Sequence, residues 1–147
     1  RSGYLDALAA RGIAPDPALM SSEEMTELRG YRAACDMLAL DQPPTAFLAS
    51  SMISGLGVRR AIEERGLRLG TDISVIIHDD ELSYLRNGED VPIYTATRSS
   101  VREAGRQAAE MLLDLIAHPE TAPLQRLLEA ELIIGQSTGP APLPHRS

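Results

Sequence analysis

Two adjacent carboxylates follow an imidazole in His78-Asp79-Asp80, and the trio closes a run of mostly β-branched residues, Ile73-Ser74-Val75-Ile76-Ile77. An ionised carboxylate is a strong acceptor for hydroxyl groups. It can also act as a general acid or base, or hold a hard cation. Adjacent residues of an extended strand point to opposite sides, so Asp79 and Asp80 do not converge on one substrate atom. Spacing alone leaves turn formation, ligand binding and catalysis open for the pair, with turn formation the commonest role for such residues. His78 could pack, hydrogen-bond or move a proton, and the first two are the more frequent uses of a lone histidine. No second His or Cys stands at zinc-ligand spacing, because His118 ends a helical pattern and His145 lies near the terminus.

Other chemistry is poorly supported. Ser50, Ser51, Ser54, Ser99 and Ser100 stand at the starts of helical patterns, where capping is the default role. None lies in a G-x-S-x-G nucleophile elbow. Gly55-Leu56-Gly57 lacks the third glycine of a dinucleotide fingerprint, with Arg60 in its place, and no phosphate loop exists. The two glycines suit close helix packing better. These patterns support no cofactor or metal, and catalysis is the least favoured use of the carboxylate pair.

The trio needs elements to position it. The Ile73–Ile77 run shows little polar alternation, which predicts a strand covered on both faces, as in a parallel sheet. Ligands of open α/β sheets bind beyond the carboxyl ends of such strands. Periodicity predicts helices over residues 3–10, 25–40, 51–65 and 100–118. The last opens on a Ser100–Glu103 capping box and carries Ala104, Ala108, Met111, Leu112 and Leu115 on its apolar side. Strands are predicted over residues 19–21, 45–49, 73–77, 93–97 and within 127–134. Repeated β-α-β units imply an α/β fold, a parallel sheet with helices on both faces. The segment 137–147 holds three of the ten prolines and reads as a flexible tail.

Composition bounds the function. The chain has 147 residues, about one domain, with 44% apolar and only 3% aromatic residues. A net charge of −7 argues against this segment gripping a phosphate backbone. The single Cys35 excludes an internal disulfide and fits a small buried residue on a helix. No apolar run reaches the roughly 20 residues of a membrane span. The first residues, Arg1-Ser2-Gly3-Tyr4, lack an initiator Met and run straight into a helical pattern, as in a fragment.

Several linked segments carry a family resemblance. Residues 43–51 (Pro-Pro-Thr-Ala-Phe-Leu-Ala-Ser-Ser), 56–62 (Leu-Gly-Val-Arg-Arg-Ala-Ile) and 66–76 (Gly-Leu-Arg-Leu-Gly-Thr-Asp-Ile-Ser-Val-Ile) come in order. Thr95, Gly105, Ala109 and Ser137-Thr138-Gly139-Pro140 follow. Together they closely resemble the LacI/GalR transcription regulators over nearly the whole chain. The resemblance implies a periplasmic-binding-protein-like type I fold of two lobes with a sugar or nucleobase effector in the cleft. Residues 1–136 would be the C-terminal part of this effector-binding and dimerisation core. The stretch 91–118 would cross to the N-terminal lobe, and the helix-turn-helix head would lie outside the chain.

By position, the resemblance implies that Asp79 accepts hydrogen bonds from the effector. Ser51 stands where members often have Asn, Met25 where an aromatic residue often stacks, and Ser99 at a polar contact near the hinge. The effector-binding Arg of the R-x-x-G pattern would fall one residue before Arg1. Ile77-His78 replaces the usual Gly followed by Tyr or Phe, so His78 gives the pocket a different wall. Dimerisation would use the helix from Met52 and the loop with Leu82, Tyr84 and Leu85. The resulting reading is a cytoplasmic homodimeric regulator that responds to a small polar effector, a carbohydrate in the first instance, and binds operator DNA through its head. An exported sugar-binding protein serving a transporter is the alternative. A small hydrolase using Asp79 and His78 is the third reading.

Overall fold

The computed structural model describes residues 1–81, 84–120, 122 and 124–141. Helix α1 spans Ser2–Ala9, and a 3-10 turn follows at Pro17–Leu19. Then come α2 (Glu27–Leu38), β1 (Ala46–Ala49), α3 (Met52–Glu63) and β2 (Ser74–Asp79). The chain continues with β3 (Thr95–Arg98), α4 (Val101–Ala117) and β4 (Glu131–Ile133). The strands lie in the order β1-β2-β3-β4, the first three parallel and β4 antiparallel to β3. The expected α/β class with a largely parallel sheet is therefore present.

Helix starts follow the side-chain chemistry at each cap. Thr26, Ser51 and Ser100 each accept a hydrogen bond from the backbone N–H three residues on. Gly66 takes φ +71° just after α3, a conformation costly for residues with a Cβ. Helix α3 lies on β1 and β2, and α2 lies on α3. The core between sheet and helix holds Val75, Ile77, Ala96, Ala61, Ile62 and Tyr94. Glycines permit the close approach: a Cβ on Gly57 would lie 2.0 Å from the Glu27 carbonyl oxygen, and one on Gly55 2.6 Å from the Ile77 side chain. On the outer side of this helix pair the Arg60 guanidinium stacks 3.7 Å from the Tyr31 ring centre. The Tyr31 hydroxyl donates to Glu64 at 2.6 Å, and this bond pushes its pKa up to about 12. Cys35 sits half-buried on α2, as expected, and its carbonyl accepts from Arg65.

Several elements differ from the sequence expectation. No strand forms at 19–21: Asp16 caps a turn that starts at Pro17, and extended Met20 has no ladder partner. Helix α2 is capped by Thr26 and begins at Glu27 rather than at residue 25, so Met25 lies outside it. Ile93 and Tyr94 stay out of β3 because the Asn87 side chain occupies the Tyr94 backbone, accepting from its N–H at 2.7 Å and donating to its carbonyl at 2.8 Å. In β2 only Val75, Ile77 and Asp79 are buried, on the side covered by α3. Leu48 and Leu132 lie on the opposite face and are 63% and 60% exposed, so helix cover in the described chain is one-sided. Helix α4 contributes no buried residue.

Residues 137–139, expected to open a flexible tail, pack against the sheet instead. Ser137 is fully buried. Its hydroxyl accepts from Thr95 N–H at 2.9 Å and donates to the Val75 carbonyl, while Val75 N–H donates to the Ser137 carbonyl at 2.8 Å. Ser137 thus bridges β2 and β3 just before their own pairing starts at Ile76 and Thr95. Thr138 meets the Thr95 hydroxyl at 2.7 Å, and Gly139 N–H donates to Ser74. Prolines stopped regular structure here, but not docking. Residues 142–147 lie outside the described residues. Ser137→Ala strands one buried N–H and one buried carbonyl, so it should lower stability by about 2–3 kcal/mol. Urea denaturation checks this as a lower midpoint at unchanged slope.

Candidate functional site

The candidate site forms at the carboxyl ends of β2 and β3. The parallel register sets His78 beside Thr97 and Asp79 beside Arg98, each pair on one face of the sheet. Asp79 is only 4% exposed. Its Oδ1 accepts from Glu81 N–H at 3.0 Å, and its carbonyl accepts from Ser99 N–H at 3.2 Å. Glu81 has φ 55°, the only positive value outside glycine among the described residues. The Asp79 acceptor helps hold that costly backbone conformation. The carboxylate therefore does shape the turn, as its position after a strand suggested, but only through Oδ1.

Asp79 Oδ2 faces a cation instead. Arg98 Nη2 lies 3.5 Å from it, and Arg98 Nε lies 3.8 Å from Glu81 Oε1. Arg98 Nε is buried and has no hydrogen-bond partner. His78 stands on the other face of the strand. Its Nδ1 lies 3.0 Å from the Thr97 hydroxyl, and its Nε2 lies 3.2 Å from the Ser99 hydroxyl and 3.0 Å from Asp80 Oδ1. A carboxylate only accepts, so Nε2 donates to Asp80, while Nδ1 and the Thr97 hydroxyl share a hydrogen bond. His78 is a hydrogen-bonding hub at the strand end.

The structure brings most of the expected residues together. Ser51 is half-buried, caps α3 through Ser54 N–H at 3.2 Å, and lines a small recess of about 40 Å³ with His78, Asp79, Asp80 and Leu85. Ser99 joins the group through His78. Met25 does not: it is 62% exposed ahead of α2 and lines neither this recess nor its larger neighbour. Met52, expected on a dimer surface, is 7% exposed and belongs to the core, because the first residue of α3 turns inward over the sheet. Leu85 is half-buried against that core, Tyr84 is 77% exposed, and Leu82 lies outside the described residues.

Arg98 was missed by the sequence reading. Its signal was its place at the end of the next parallel strand, level with Asp79. Arg98, Asp79, Glu81, Arg86, Glu89 and Asp90 ring a depression of about 440 Å³ beside the small recess. Among the described residues no three His, Cys, Asp or Glu side chains cluster as a metal would require. The arrangement is suited to holding hydroxyl groups through fixed acceptors and donors.

Residues 1–138 match the periplasmic binding protein-like domain family. The chain belongs to that family, on its LacI/GalR regulator branch. The LacI/GalR domain is 46% identical to the HTH-type transcriptional regulator AglR of Rhizobium meliloti strain 1021, over 97% of this chain and 40% of that protein. It is 34% identical to the HTH-type transcriptional repressor CytR of Escherichia coli K12, over 95% of this chain and 40% of that one. Among solved structures, a transcriptional regulator from Yersinia pestis superposes with a TM-score of 0.78 at 30% identity, covering 95% of this chain and 49% of that one. A CelR–cellobiose complex superposes with a TM-score of 0.80 at 28% identity, covering 92% of this chain and 40% of that one. The LacI/GalR domain thus spans about 40% of the length of the curated relatives it matches.

Proposed function

We propose that this LacI/GalR domain is the C-terminal part of the effector-sensing and dimerisation core of a cytoplasmic DNA-binding transcription regulator. The observation that carries the reading is Asp79. It is buried at a parallel strand end, fixed through Oδ1, and keeps Oδ2 beside a depression deep enough for a small polar molecule. Ser51 and His78 line the small recess next to it, and the Ser99 hydroxyl bonds His78. The effector is a carbohydrate. The cellobiose held by CelR and the ribose bound to an Enterococcus faecium LacI-family regulator support that class.

The regulator reading is favoured over a transporter's sugar-binding protein by the relatives, which carry HTH-type regulator names. DNA is contacted by a head outside this chain, in keeping with the charge of −7 here. Among the described residues no helix is long and apolar enough to cross a membrane. Helix α4, with Leu112, Leu113 and Ile116 all more than half exposed, belongs to the crossing into the other lobe. Exposed Tyr84 lies on the homodimer surface. Nothing is catalysed. Effector closes the lobes on itself and shifts the population between DNA-competent and incompetent dimers.

The test uses the full-length protein, an operator duplex selected from random-sequence DNA, and a panel of neutral sugars that includes cellobiose and ribose. At least one sugar should change operator affinity at least tenfold, with two chains per bound particle by light scattering. Failure to select any DNA, or operator affinity unmoved by every sugar, would overturn the reading.

A further inference from the structure

We propose that Arg98 is a specificity residue of the site, and that Arg98 and Asp79 together read two neighbouring hydroxyls of a neutral polyol. One hydroxyl donates to Asp79 Oδ2, and the adjacent one accepts from the Arg98 guanidinium. The inference rests on Asp79 being the effector acceptor, and it adds the partner and the charge class of the ligand.

The backbone makes the pair unavoidable. Asp79 and Arg98 end adjacent parallel strands in direct register, so their side chains leave the sheet on one face at one level. Neither group saturates the other. Nη2 and Oδ2 are 3.5 Å apart, beyond the usual hydrogen-bond distance. Oδ1 is committed to Glu81 N–H, so Oδ2 is the oxygen with capacity to spare. On the other side, Arg98 carries donors in a planar fork, and its buried Nε has no partner, with Glu81 Oε1 still 3.8 Å away. A guanidinium with unmet donors beside a carboxylate with an unmet acceptor suits a ligand that offers both functions at adjacent atoms. Neighbouring ring hydroxyls do this, because each hydroxyl both donates and accepts and the two oxygens lie about a hydrogen-bond length apart.

Charge selects within that class. Around the depression the carboxylates of Asp79, Glu81, Glu89 and Asp90 outnumber the guanidiniums of Arg86 and Arg98. Arg98 already faces two of those carboxylates. An anionic sugar would add like charge to a site with a surplus of it, so uronates and sugar phosphates are disfavoured relative to neutral sugars.

Calorimetry on the full-length protein tests this. The probes are neutral mono- and disaccharides, cellobiose and ribose among them, with glucuronate and glucose 6-phosphate as the anionic arm. Arg98→Met should weaken the tightest neutral sugar at least twentyfold. Arg98→Lys, which keeps the charge but not the fork, should weaken it several-fold. A deoxy analogue of that sugar lacking the hydroxyl read by Arg98 should bind weakly to the parent protein, yet no more weakly to Arg98→Met than the complete sugar does. A merely structural arginine would not erase that difference. If Asp79→Asn loses affinity while Arg98→Met and Arg98→Lys keep it, the role of Arg98 is overturned and that of Asp79 stands. If Asp79→Asn also binds normally, or if no neutral sugar binds the parent protein, the underlying site assignment falls with it. Tighter binding of either anionic probe overturns the charge preference.

Discussion

Asp79→Ala in the full-length protein should weaken effector binding about a hundredfold or more while operator binding persists. A ligand hydroxyl bonded to a buried, ionised acceptor contributes about 2–4 kcal/mol, and about 2.7 kcal/mol corresponds to a hundredfold. Alanine removes that acceptor and two further interactions. Glu81 loses the oxygen that supports its positive φ, and Arg98 loses the nearer of its two carboxylates. Part of the effect of alanine is therefore on the fold of the strand end. Asp79→Asn separates the two contributions, because the amide oxygen can still accept from Glu81 N–H. Asparagine should keep most of the stability and still lose most of the affinity. Calorimetry against the sugar that binds, with fluorescence anisotropy on operator DNA, measures both quantities. Unchanged effector affinity in Asp79→Ala would show that the acceptor lies elsewhere.

Gly57→Ala should cost about 3 kcal/mol or more, a large part of the roughly 5–15 kcal/mol that holds a domain folded. The added methyl would lie 2.0 Å from the Glu27 carbonyl oxygen and 2.5 Å from Tyr31 nitrogen, both in the backbone of α2. No rotamer change relieves a clash with backbone. Helix α2 must move away from α3, disturbing the Tyr31–Glu64 hydrogen bond, the Arg60–Glu27 ion pair and the buried Ala34 contact. The control is Gly105→Ala, in α4, where the new methyl meets nothing within 4 Å. There the same substitution should be neutral or stabilise by up to about 1 kcal/mol, because alanine is the better helix former. Chemical denaturation of both variants gives the comparison. A Gly57→Ala midpoint equal to the parent's would refute the close helix contact.

Local chemistry makes part of the site legible in the sequence. Ser51 and Ser100 cap helices because a hydroxyl ahead of a helix meets its free N–H groups, and that requires no distant partner. Asp79 stands out because an apolar β-branched run ends on it. Other features are hidden because they depend on pairing across the chain. Met52 and Met25 are alike in type and both stand at helix starts, yet one is core and the other is 62% exposed. Met52 is the first residue of α3 and turns over the sheet, whereas Met25 precedes the Thr26 cap and stays outside α2. Ser137 sits in a proline-rich segment without periodicity, and its burial comes from a gap in the ladder between β2 and β3, far away in sequence.

The sequence by itself determined the α/β class, the helix starts, the family and the strand end at which Asp79 stands. These follow from periodicity, capping and residue order, which are local or cumulative properties. Tertiary structure alone decided what Asp79 faces. Register between two parallel strands places Arg98 beside it, and the turn through Glu81 takes up one of its two oxygens. A residue's type states which bonds it can make, but register and burial decide which of them remain available to a ligand.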